Sequence, residues 1–397
     1  MKKYWRPFKW LGLMKEINKD LFIKNNNLPK IGEKVVVAMS GGVDSSVTAA
    51  LLKQIGYEVI GVTMKLYEAS SKKSPKTCCS GIDIADARKV AKKLGIKHYI
   101  IDYKEKFKES VIDRFVDSYI EGQTPIPCIL CNQTVKFTDL IQFTRSLKCS
   151  ILATGHYVKR IENGVDINLY QADDELKDQS YFLFATTQKQ LKFLRFPLGS
   201  FSKSYIRALA ENYGLVNAFK PDSQDICFIP DGNYRDFVKN KTSHSSIAGN
   251  IESYDGRIIG KHNGIIDYTI GQRKGIGIGG IKGNKDSTPM YVVDIDKKNN
   301  KIVVGPKNRL MRYFIYLKDL NFFTKNILEG QFDAFIKIRS GKRLISGKIR
   351  VDKNNNTKGV VKLNEPEFGV APGQACVFYD NFKKMIGGGW ITSSKFG

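Results

Sequence analysis

The sequence has no apolar run that approaches the ~20 residues needed for a membrane-spanning helix. Its mean hydropathy of -0.29 agrees, so we expect no membrane-embedded segment and no membrane partner. With 42% hydrophobic and 11% aromatic residues, the composition excludes disordered and collagen-like chains. A chain of 397 residues exceeds one average domain, so two or three domains with separate cores are expected.

Acidic residues are scarce relative to basic ones. The chain has 39 Asp and Glu against 64 Lys and Arg, a formal net charge of +25. Such an excess favours a polyanionic partner, nucleic acid above all. A genome whose nucleotide bias enriches lysine would produce the same excess, so charge alone leaves both explanations open.

Cysteines are few, odd in number and scattered. Seven in a chain of this length do not form the dense framework of a secreted disulfide scaffold, which predicts a reducing, cytoplasmic location. The first thirty residues are basic, with interrupted apolar positions and no small-residue cleavage site. They predict a basic, weakly amphipathic arm rather than a secretory signal, and an organellar presequence is the open alternative.

Strand and helix signals alternate along the first half of the chain, which predicts an α/β domain with a parallel sheet covered on both faces. Beyond Pro221, turn residues become frequent and short strands follow one another, which predicts a small antiparallel barrel or sandwich at the C terminus. The predicted domains are an arm over 1–30, the α/β domain over 31–220, a glycine-rich central domain over 221–289 and the barrel over 290–397. The predicted strands and helices that matter below are strands at 35–39, 58–64, 98–101, 151–154, 291–295, 301–304, 334–338, 346–351 and 376–379, and helices at 43–55, 82–94, 107–120 and 134–146.

The segment Ser40-Gly41-Gly42-Val43-Asp44-Ser45-Ser46 lies where the first apolar strand meets a helix. Successive backbone N–H groups and the helix N-terminus converge there, as in phosphate-binding loops. The serine hydroxyls add donors, and Asp44 is a candidate ligand of Mg²⁺. The loop lacks the Walker pattern, so γ-phosphate transfer is not implied.

Two thiols lie three residues apart, Cys128 and Cys131, and a third, Cys227, follows far along the chain. A C-x-x-C pair is typical of zinc or iron–sulfur ligation, but a closed site needs more ligands and the sequence has no second such pair. The alternative is a sulfur relay, in which one thiol carries a persulfide and another assists the displacement of an activated oxygen. The residues alone leave both interpretations open.

The segment from Ser40 to Ser46 resembles the pyrophosphate loop of the PP-loop ATPases, which are similar in fold to adenine nucleotide α-hydrolases and cleave ATP to AMP and pyrophosphate. The cysteines narrow the choice, because the chain resembles the bacterial tRNA-specific 2-thiouridylase family over nearly its whole length. The ordered motifs that carry this resemblance are Ala38 to Ser46, Leu130-Cys131-Asn132, Ala153 to Tyr157, Lys177 to Phe182, Asp225 to Ile229, Gly271 to Gly279 and Pro372-Gly373-Gln374.

The resemblance implies ATP-dependent sulfur transfer to carbon 2 of the wobble uridine of tRNA, through an adenylated intermediate and a cysteine persulfide. It implies ATP and Mg²⁺, glutamate, glutamine and lysine tRNAs, and a protein that donates persulfide sulfur. By position, Cys131 resembles the nucleophile and Cys227 the persulfide carrier, and the two are expected to pair as a disulfide after turnover. The implied nucleotide contacts are Ala38, Met39, Ser40, Gly41, Gly42, Val43, Asp44, Ser45, Met64 and Gly155. The implied tRNA contacts are Ile126, Pro127, Cys128, Lys177, Asp178, Gln179, Arg339 and Ser340.

Two positions depart from the family pattern. Cys128 stands where well-known members have an aspartate three residues before the nucleophile, so a carboxylate that moves a proton is missing there. Ser340 stands where the more familiar residue is tyrosine, which puts an aromatic stacking contact with the RNA in doubt.

Other functions compete with this interpretation. Another PP-loop tRNA modifier, of the cytidine thiolase or lysidine synthetase type, shares the loop, and a catalytically silent tRNA-binding protein would share the charge. Several residues are predicted to be structural: a flexible loop at Cys78-Cys79, packing thiols at Cys149 and Cys376, and solvated lysines at Lys192, Lys203 and Lys220. His156 is predicted either to orient a phosphate or to satisfy a turn. The Gly275–Gly280 run has no helix after it and is not expected to bind a dinucleotide.

Overall fold

The computed structural model describes residues 18–67, 81–222, 225–229, 232–242, 247–278, 289–324, 330–341 and 343–395. The predictions for Cys78-Cys79 and for residues 1–17 of the arm lie outside these ranges. Within them, no helix has both the length and the apolar character to cross a membrane.

The described helices are short apart from two. The α-helices are α1 Lys19–Asn25, α2 Val43–Ile55, α3 Gly81–Leu94, α4 Lys104–Phe107, α5 Arg114–Ile120, α6 Pro127–Cys131, α7 Leu140–Ser146, α8 Gln188–Leu191, α9 Lys203–Asn212 and α10 Tyr234–Lys241. Two π-helical segments, Lys108–Asp113 and Asn132–Asp139, join α4 to α5 and α6 to α7. Short 3-10 turns cover Ser180–Leu183, Ile265–Asp267 and Lys307–Leu310.

The described strands form separate sheets. They are β1 Lys34–Ala38, β2 Glu58–Lys65, β3 Lys97–Asp102, β4 Leu152–Ala153, β5 Lys159–Asn163, β6 Asp166–Tyr170, β7 Leu194–Arg195, β8 Gly249–Ser253, β9 Ile258–His262, β10 Met290–Asp296, β11 Lys301–Pro306, β12 Met311–Phe322, β13 Gln331–Lys337, β14 Ile345–Val351, β15 Gly359–Phe368, β16 Ala375–Tyr379 and β17 Met385–Lys395.

The chain divides into two compact units. The first comprises residues up to Ser110, Leu130–Gly232 and Lys383–Met385, and the second comprises Val111–Ile129, Asn233–Phe382 and residues from Ile386 onwards.

The first unit contains a five-stranded sheet in the order β3-β2-β1-β4-β7, in which the paired strands are parallel. Val35, Val36 and Val37 of β1 are completely buried, as expected for a strand covered on both faces. Helix α2 packs Val47, Leu51 and other apolar residues into the same core. The predicted parallel α/β domain is therefore confirmed.

The second unit contains two β structures. Strands β10, β11, β8 and β9 form a four-stranded sheet in that order, and β12-β15-β14-β13-β16-β17 close into an antiparallel barrel. Burial alternates strictly along β14, whose inward residues Ile345 and Ile349 join the core cluster of the barrel. The predicted C-terminal antiparallel barrel is confirmed, whereas the predicted domain boundaries stay a prediction.

Two details of the sequence prediction were wrong. The strands predicted at 291–295 and 301–304 were assigned to the barrel, but β10 and β11 belong to the four-stranded sheet, because β11 pairs in parallel with β8. Alternating hydrophobicity predicts a strand but not its partner. The helices predicted at 107–120 and 134–146 also contain the π-helical segments, whose wider hydrogen-bonding has no distinct hydrophobic period.

Candidate active site

The loop between β1 and α2 has the geometry of an anion-binding turn. Gly42 is the extended N-cap residue of the 13-residue helix α2 and provides no side-chain cap, so the first N–H groups of the helix have no side-chain acceptor from it. The Ser40 backbone N–H donates to the Ser45 hydroxyl at 3.1 Å, and the two hydroxyls lie 3.3 Å apart. The loop therefore presents hydroxyls beside an uncapped helix N-terminus, which suits a phosphate group.

Two glycines are required by close backbone approach. Gly41 has a φ of +77°, and a Cβ placed on it would lie 2.2 Å from the carbonyl oxygen of Asp83. A Cβ on Gly155 would lie 2.8 Å from the backbone nitrogen of Ser45. The predicted contact residue Gly155 is thus brought against the loop.

Met39 and Met64 lie at the carboxyl ends of neighbouring parallel strands. The Met39 N–H donates to the Val62 carbonyl at 2.8 Å, and the Thr63 hydroxyl donates to the Met39 carbonyl at 2.7 Å. Met64 follows and is buried. Ligands of open parallel sheets bind at this edge, so the position of both methionines fits a nucleotide contact.

Asp44 is held by two partners from other parts of the first unit. The Lys203 ammonium donates to both carboxylate oxygens at 2.7 Å, and the Tyr157 hydroxyl donates to Oδ1 at 2.8 Å. Lys203 is only 8% exposed, which corrects its prediction as a solvated lysine. Burial, and then the neighbouring Asp44 charge, raise the pKa of Tyr157, so its hydroxyl stays protonated as a donor.

Asp222 joins this cluster from a second direction. Its carboxylate pairs with Lys203 at 2.9 Å, with Arg207 at 2.9 Å and with Lys177 at 2.7 Å. Burial acts to raise the pKa of Asp222, but hydrogen bonds from Lys177 and Lys203 outweigh it and lower the pKa to about 2. Asp44 and Asp222, bridged by one buried lysine, thus connect the loop with the chain just before Cys227.

Lys220 and Asn217 both contact the backbone of the loop at Gly41. The Lys220 ammonium pairs with Asp83 at 2.5 Å and Asp86 at 2.8 Å, and it also contacts the Gly41 carbonyl at 3.3 Å. The Asn217 amide donates to the same carbonyl at 2.9 Å. The prediction of Lys220 as a solvated lysine was therefore wrong, whereas Lys192 is exposed as predicted.

Cys131 ends helix α6 and is 6% exposed, and the helical path continues directly into the π-helical segment Asn132–Asp139. Asn132 is buried beside it and donates to the Phe182 carbonyl at 3.3 Å. This bond ties the chain after Cys131 to the turn that follows Gln179. Segments of π-helix occur frequently at functional sites, and this one begins at the residue after the predicted nucleophile.

Cys227 is half-buried in the described segment 225–229. Its neighbour Phe228 is buried and packs edge-to-face on Phe107, with ring centroids 5.7 Å apart. The aromatic contact anchors one side of the segment, and Asp222 lies five residues before the thiol.

The segment Lys177–Gln179, predicted to contact tRNA, is tied into the first unit. Asp178 is buried, and its carboxylate accepts from the backbone N–H groups of Ala172 and Ser180, both at 3.1 Å. Gln179 accepts from the Tyr157 N–H at 3.0 Å. The segment therefore positions Tyr157 and, through Lys177, Asp222.

The remaining predicted tRNA residues differ in exposure. Pro127 is buried and Ile126 half-buried, whereas the Cys128 side chain is exposed on α6, three residues before Cys131. In the second unit, Arg339 donates to the Gly369 carbonyl and the adjacent Ser340 is exposed.

Three residues with open or structural predictions are now placed. The His156 Nδ1 lies 2.8 Å from the Thr154 hydroxyl, and burial followed by the Lys136 charge lowers its pKa to about 3. A neutral imidazole bonded within its own turn favours the turn-satisfying role. Cys149 and Cys376 are buried as predicted, and burial raises both thiol pKa values.

Comparison with known proteins agrees with this architecture. Three family models match in succession: "tRNA methyl transferase HUP domain" over residues 33–231, "tRNA methyl transferase PRC-barrel domain" over 235–306 and "Aminomethyltransferase beta-barrel domain" over 312–391. A tRNA-specific 2-thiouridylase, MnmA, from Wolbachia sp. subsp. Brugia malayi is 50% identical over 363 residues, 91% of this chain and 95% of that protein. The chain belongs to the tRNA-specific 2-thiouridylase family. Other 2-thiouridylases are similarly close, with 48% identity over 94% of this chain and 99% of the protein from Orientia tsutsugamushi, and 46% over 91% and 95% for that from Roseobacter denitrificans.

Sequence reasoning did not predict that Lys203, Tyr157, Asp222 and Asn217 belong to the polar cluster at the loop. Tyr157 and Asp222 belong to quoted motifs or lie beside one, so proximity to a motif was an available signal. Lys203 had none, because a single lysine in a chain rich in lysine does not reveal burial.

Proposed function

We propose that this chain activates the wobble uridine of tRNA with ATP and replaces the oxygen at carbon 2 by sulfur carried on Cys227. The observation that carries the proposal is the combination of an anion-binding loop, Cys131 and Cys227 in a member of the 2-thiouridylase family. Tyr157 and Lys203 set the electrostatics around the loop, and the basic excess of the chain suits a tRNA partner.

ATP is proposed to bind with its phosphates at the loop and the N-terminus of α2. The predicted nucleotide residues Ala38 to Ser45 run from the last residue of β1 into the first turn of α2. Met64 and Gly155 flank them at the same sheet edge. The hydroxyls of Ser40 and Ser45 and the first N–H groups of α2 are the donors for the pyrophosphate portion.

Asp44 is the residue proposed to hold Mg²⁺, which when bound would neutralise charge on the pyrophosphate. A carboxylate beside an anion site is the right kind of ligand. Both of its oxygens accept from Lys203 in this structure, so a cation bound to Asp44 would share these oxygens with the lysine ammonium and be repelled by it.

The proposed chemistry has two halves. The uridine O2 attacks the α-phosphorus of ATP, pyrophosphate leaves, and carbon 2 then bears AMP as a leaving group. The terminal sulfur of a Cys227 persulfide, delivered directly or through Cys131, attacks carbon 2 and expels AMP. Where Cys131 attacks the inner sulfur of the Cys227–sulfur–carbon adduct, the thiocarbonyl is released and a Cys131–Cys227 disulfide remains, which a thiol reductant then opens.

The remaining assignments follow from the resemblance. Glutamate, glutamine and lysine tRNAs are the proposed substrates, and a persulfide-carrying protein the proposed sulfur donor. Ile126, Pro127 and Cys128 are proposed to lie near the target base, with Lys177, Asp178, Gln179, Arg339 and Ser340 as further tRNA contacts. Because Asp178 is buried and internally bonded, its proposed contribution is to hold its neighbours in place.

Product analysis tests the proposal. The protein is incubated with ATP, Mg²⁺, a donor of persulfide sulfur and unmodified glutamate tRNA, and the nucleosides of the digested RNA are identified by mass spectrometry. ATP-dependent 2-thiouridine is the expected product. A methylated nucleoside, as the names of the family models suggest, or a thiolated cytidine or lysidine would replace this proposal by another tRNA modification.

A further inference from the structure

The Lys203 ammonium contacts both Asp44 and Asp222. It lies 2.7 Å from each oxygen of Asp44 and 2.9 Å from Oδ1 of Asp222. Asp44 is the second residue of α2, immediately after the glycines of the loop, and Asp222 lies five residues before Cys227. One buried cation therefore spans the nucleotide loop and the chain that leads to the persulfide cysteine.

Three cations and three carboxylates meet in the cluster. Lys203, Lys177 and Arg207 pair with Asp44 and Asp222, and the Asp174 carboxylate accepts from the Lys203 backbone N–H at 2.9 Å. A cation that binds Asp44 competes with the Lys203 ammonium for the negative charge of that carboxylate and repels the ammonium, since interactions between charges are stronger in a partly buried site than in water.

Asp222 determines the outcome of that competition. It gives Lys203 an alternative partner 2.9 Å away, and Lys177 and Arg207 keep its carboxylate in place while Lys203 shifts. When Asp44 turns to a bound nucleotide and its cation, Lys203 retains an ion pair by moving toward Asp222. The lysine thus avoids being buried without a partner, which would be costly.

We propose that Lys203 is a positioning residue that couples nucleotide binding at the loop to the segment carrying Cys227, by dividing its contacts between Asp44 and Asp222. The proposal rests on the function proposed above, because it assumes that the loop binds ATP with a cation. It assigns Lys203 no contact with the reacting atoms. Coupling of two sites through a shared charged partner requires that each site alter the energy of the other.

The first test measures the alkylation rate of Cys227 with and without the non-cleavable analogue α,β-methylene-ATP and Mg²⁺. Peptide-resolved mass spectrometry separates Cys227 from the other cysteines. In the wild type, saturating nucleotide is expected to change the rate by about 5-fold or more, the lower end of typical coupling between sites. Lys203→Met is expected to bind nucleotide yet abolish this change, and Lys203→Arg, which keeps the charge, to retain part of it.

Lys301→Met is the matched control, because Lys301 also pairs with a carboxylate, that of Glu252 at 2.8 Å, but both residues belong to the second unit. It should leave the nucleotide-dependent change intact. If the change persists in Lys203→Met, or is absent from a nucleotide-binding wild type, the coupling role is refuted. A purely structural ion pair would lower the melting temperature of Lys203→Met and leave the change in Cys227 reactivity as it is.

The second test is a double-mutant cycle on nucleotide affinity. Asp222→Asn leaves Lys203 with Asp44 as its carboxylate partner, so the Kd for Mg²⁺ and the analogue should rise about 5-fold, and Lys203→Met should remove this effect of Asp222→Asn. Additive effects of the two substitutions on the nucleotide Kd would overturn the proposal. If Lys203→Met does not fold, the same cycle is measured with Lys203→Arg. Neither readout uses tRNA or sulfur, so loss of coupling is separable from loss of thiolation.

Discussion

The interior of the barrel and the surroundings of the loop are built from different kinds of residue. The barrel core cluster is apolar throughout, with residues such as Ile336, Ile349, Val361 and Phe378 completely buried. Around the loop, Ser46, Asn217 and Lys203 are buried as deeply as core residues, and each hydrogen-bonds to a named partner. A buried polar group without a partner is costly, so groups retained in such positions need an explanation beyond packing.

This difference indicates that the barrel core serves stability, whereas the polar residues around the loop serve binding and catalysis. Substitutions in the barrel should change stability through lost packing and leave nucleotide binding alone. Substitutions around the loop should change binding and turnover by more than they change stability. The following predictions are arranged to break or sharpen this contrast.

The largest effect is expected at the two relay thiols. Cys131→Ser and Cys227→Ser should each lower 2-thiouridine formation by at least about 10³-fold, because an alcohol is a far weaker nucleophile and cannot carry a persulfide. Filter binding of tRNA and the melting temperature should stay near wild type. Cys376→Ser, in the buried barrel, is the control: it should lose stability and keep its activity per folded molecule. Wild-type thiolation by either relay variant would refute the sulfur relay.

Gly41→Ala is expected to have the next largest effect. The positive φ and the 2.2 Å approach to the Asp83 carbonyl leave no room for a Cβ, so the loop must move. We expect nucleotide affinity, measured by calorimetry, to fall by about 5- to 150-fold, which corresponds to the ~1–3 kcal/mol cost of a strained residue. Gly164→Ala is the matched control, since Gly164 also has a positive φ but nothing lies within 4 Å. Equal loss of affinity in both variants would contradict the proposed role of the loop.

Ile349→Ala probes the other side of the comparison. Removing this completely buried side chain should lower the free energy of unfolding by roughly 2–5 kcal/mol through lost burial and a residual cavity. Denaturant unfolding measures the loss, and the Kd for nucleotide of the folded protein should be unchanged. Lys348→Ala, on the exposed face of the same strand, should change stability by less than about 0.5 kcal/mol. A nucleotide affinity that falls with Ile349→Ala would break the separation of scaffold and site.

The smallest expected effect is on the pH dependence of the melting temperature under acidic conditions. Asp222 has a pKa of about 2 in the folded protein against 3.8 as its ordinary value, so its ion pairs contribute stability that is fully present above pH 3.8. That contribution is lost as the pH falls from 3.8 towards 2. The melting temperature of the wild type should therefore decrease more steeply over this range than that of Asp222→Asn. Parallel curves for the two proteins would show that the carboxylate is not held as described.

Local patterns predicted much of the fold. The strand, glycine turn and helix at residues 35–55 were found at the predicted positions, because apolar runs and glycines act over short distances. The pairing of β8 with β11 and the hairpin of β5 and β6 were not predicted, because strand partners are chosen by long-range packing. For the site, motifs indicated Asp44 and Gly155, and the structure brings them together.

The buried charged residues of the site were not predicted from the sequence. The Lys203 ammonium lies between two carboxylates, and no sequence pattern predicts that a lysine is buried in this way. The ion pairs of Asp222 could not be predicted either, because its three cationic partners come from α9 and from the turn at Lys177. Charge clusters assembled from distant segments are properties of the fold rather than of any one motif.

The most direct test of the central claim is to follow the sulfur atom itself. Cys227 is loaded with a persulfide whose terminal sulfur is isotopically heavy, excess donor is removed, and ATP, Mg²⁺ and unmodified tRNA are added for a single turnover. The account predicts 2-thiouridine that carries the heavy sulfur and forms only when ATP is present, and none from the Cys131→Ser protein loaded in the same way. Loaded protein that releases its heavy sulfur without forming thionucleoside, or that forms it equally well without ATP, would contradict the account.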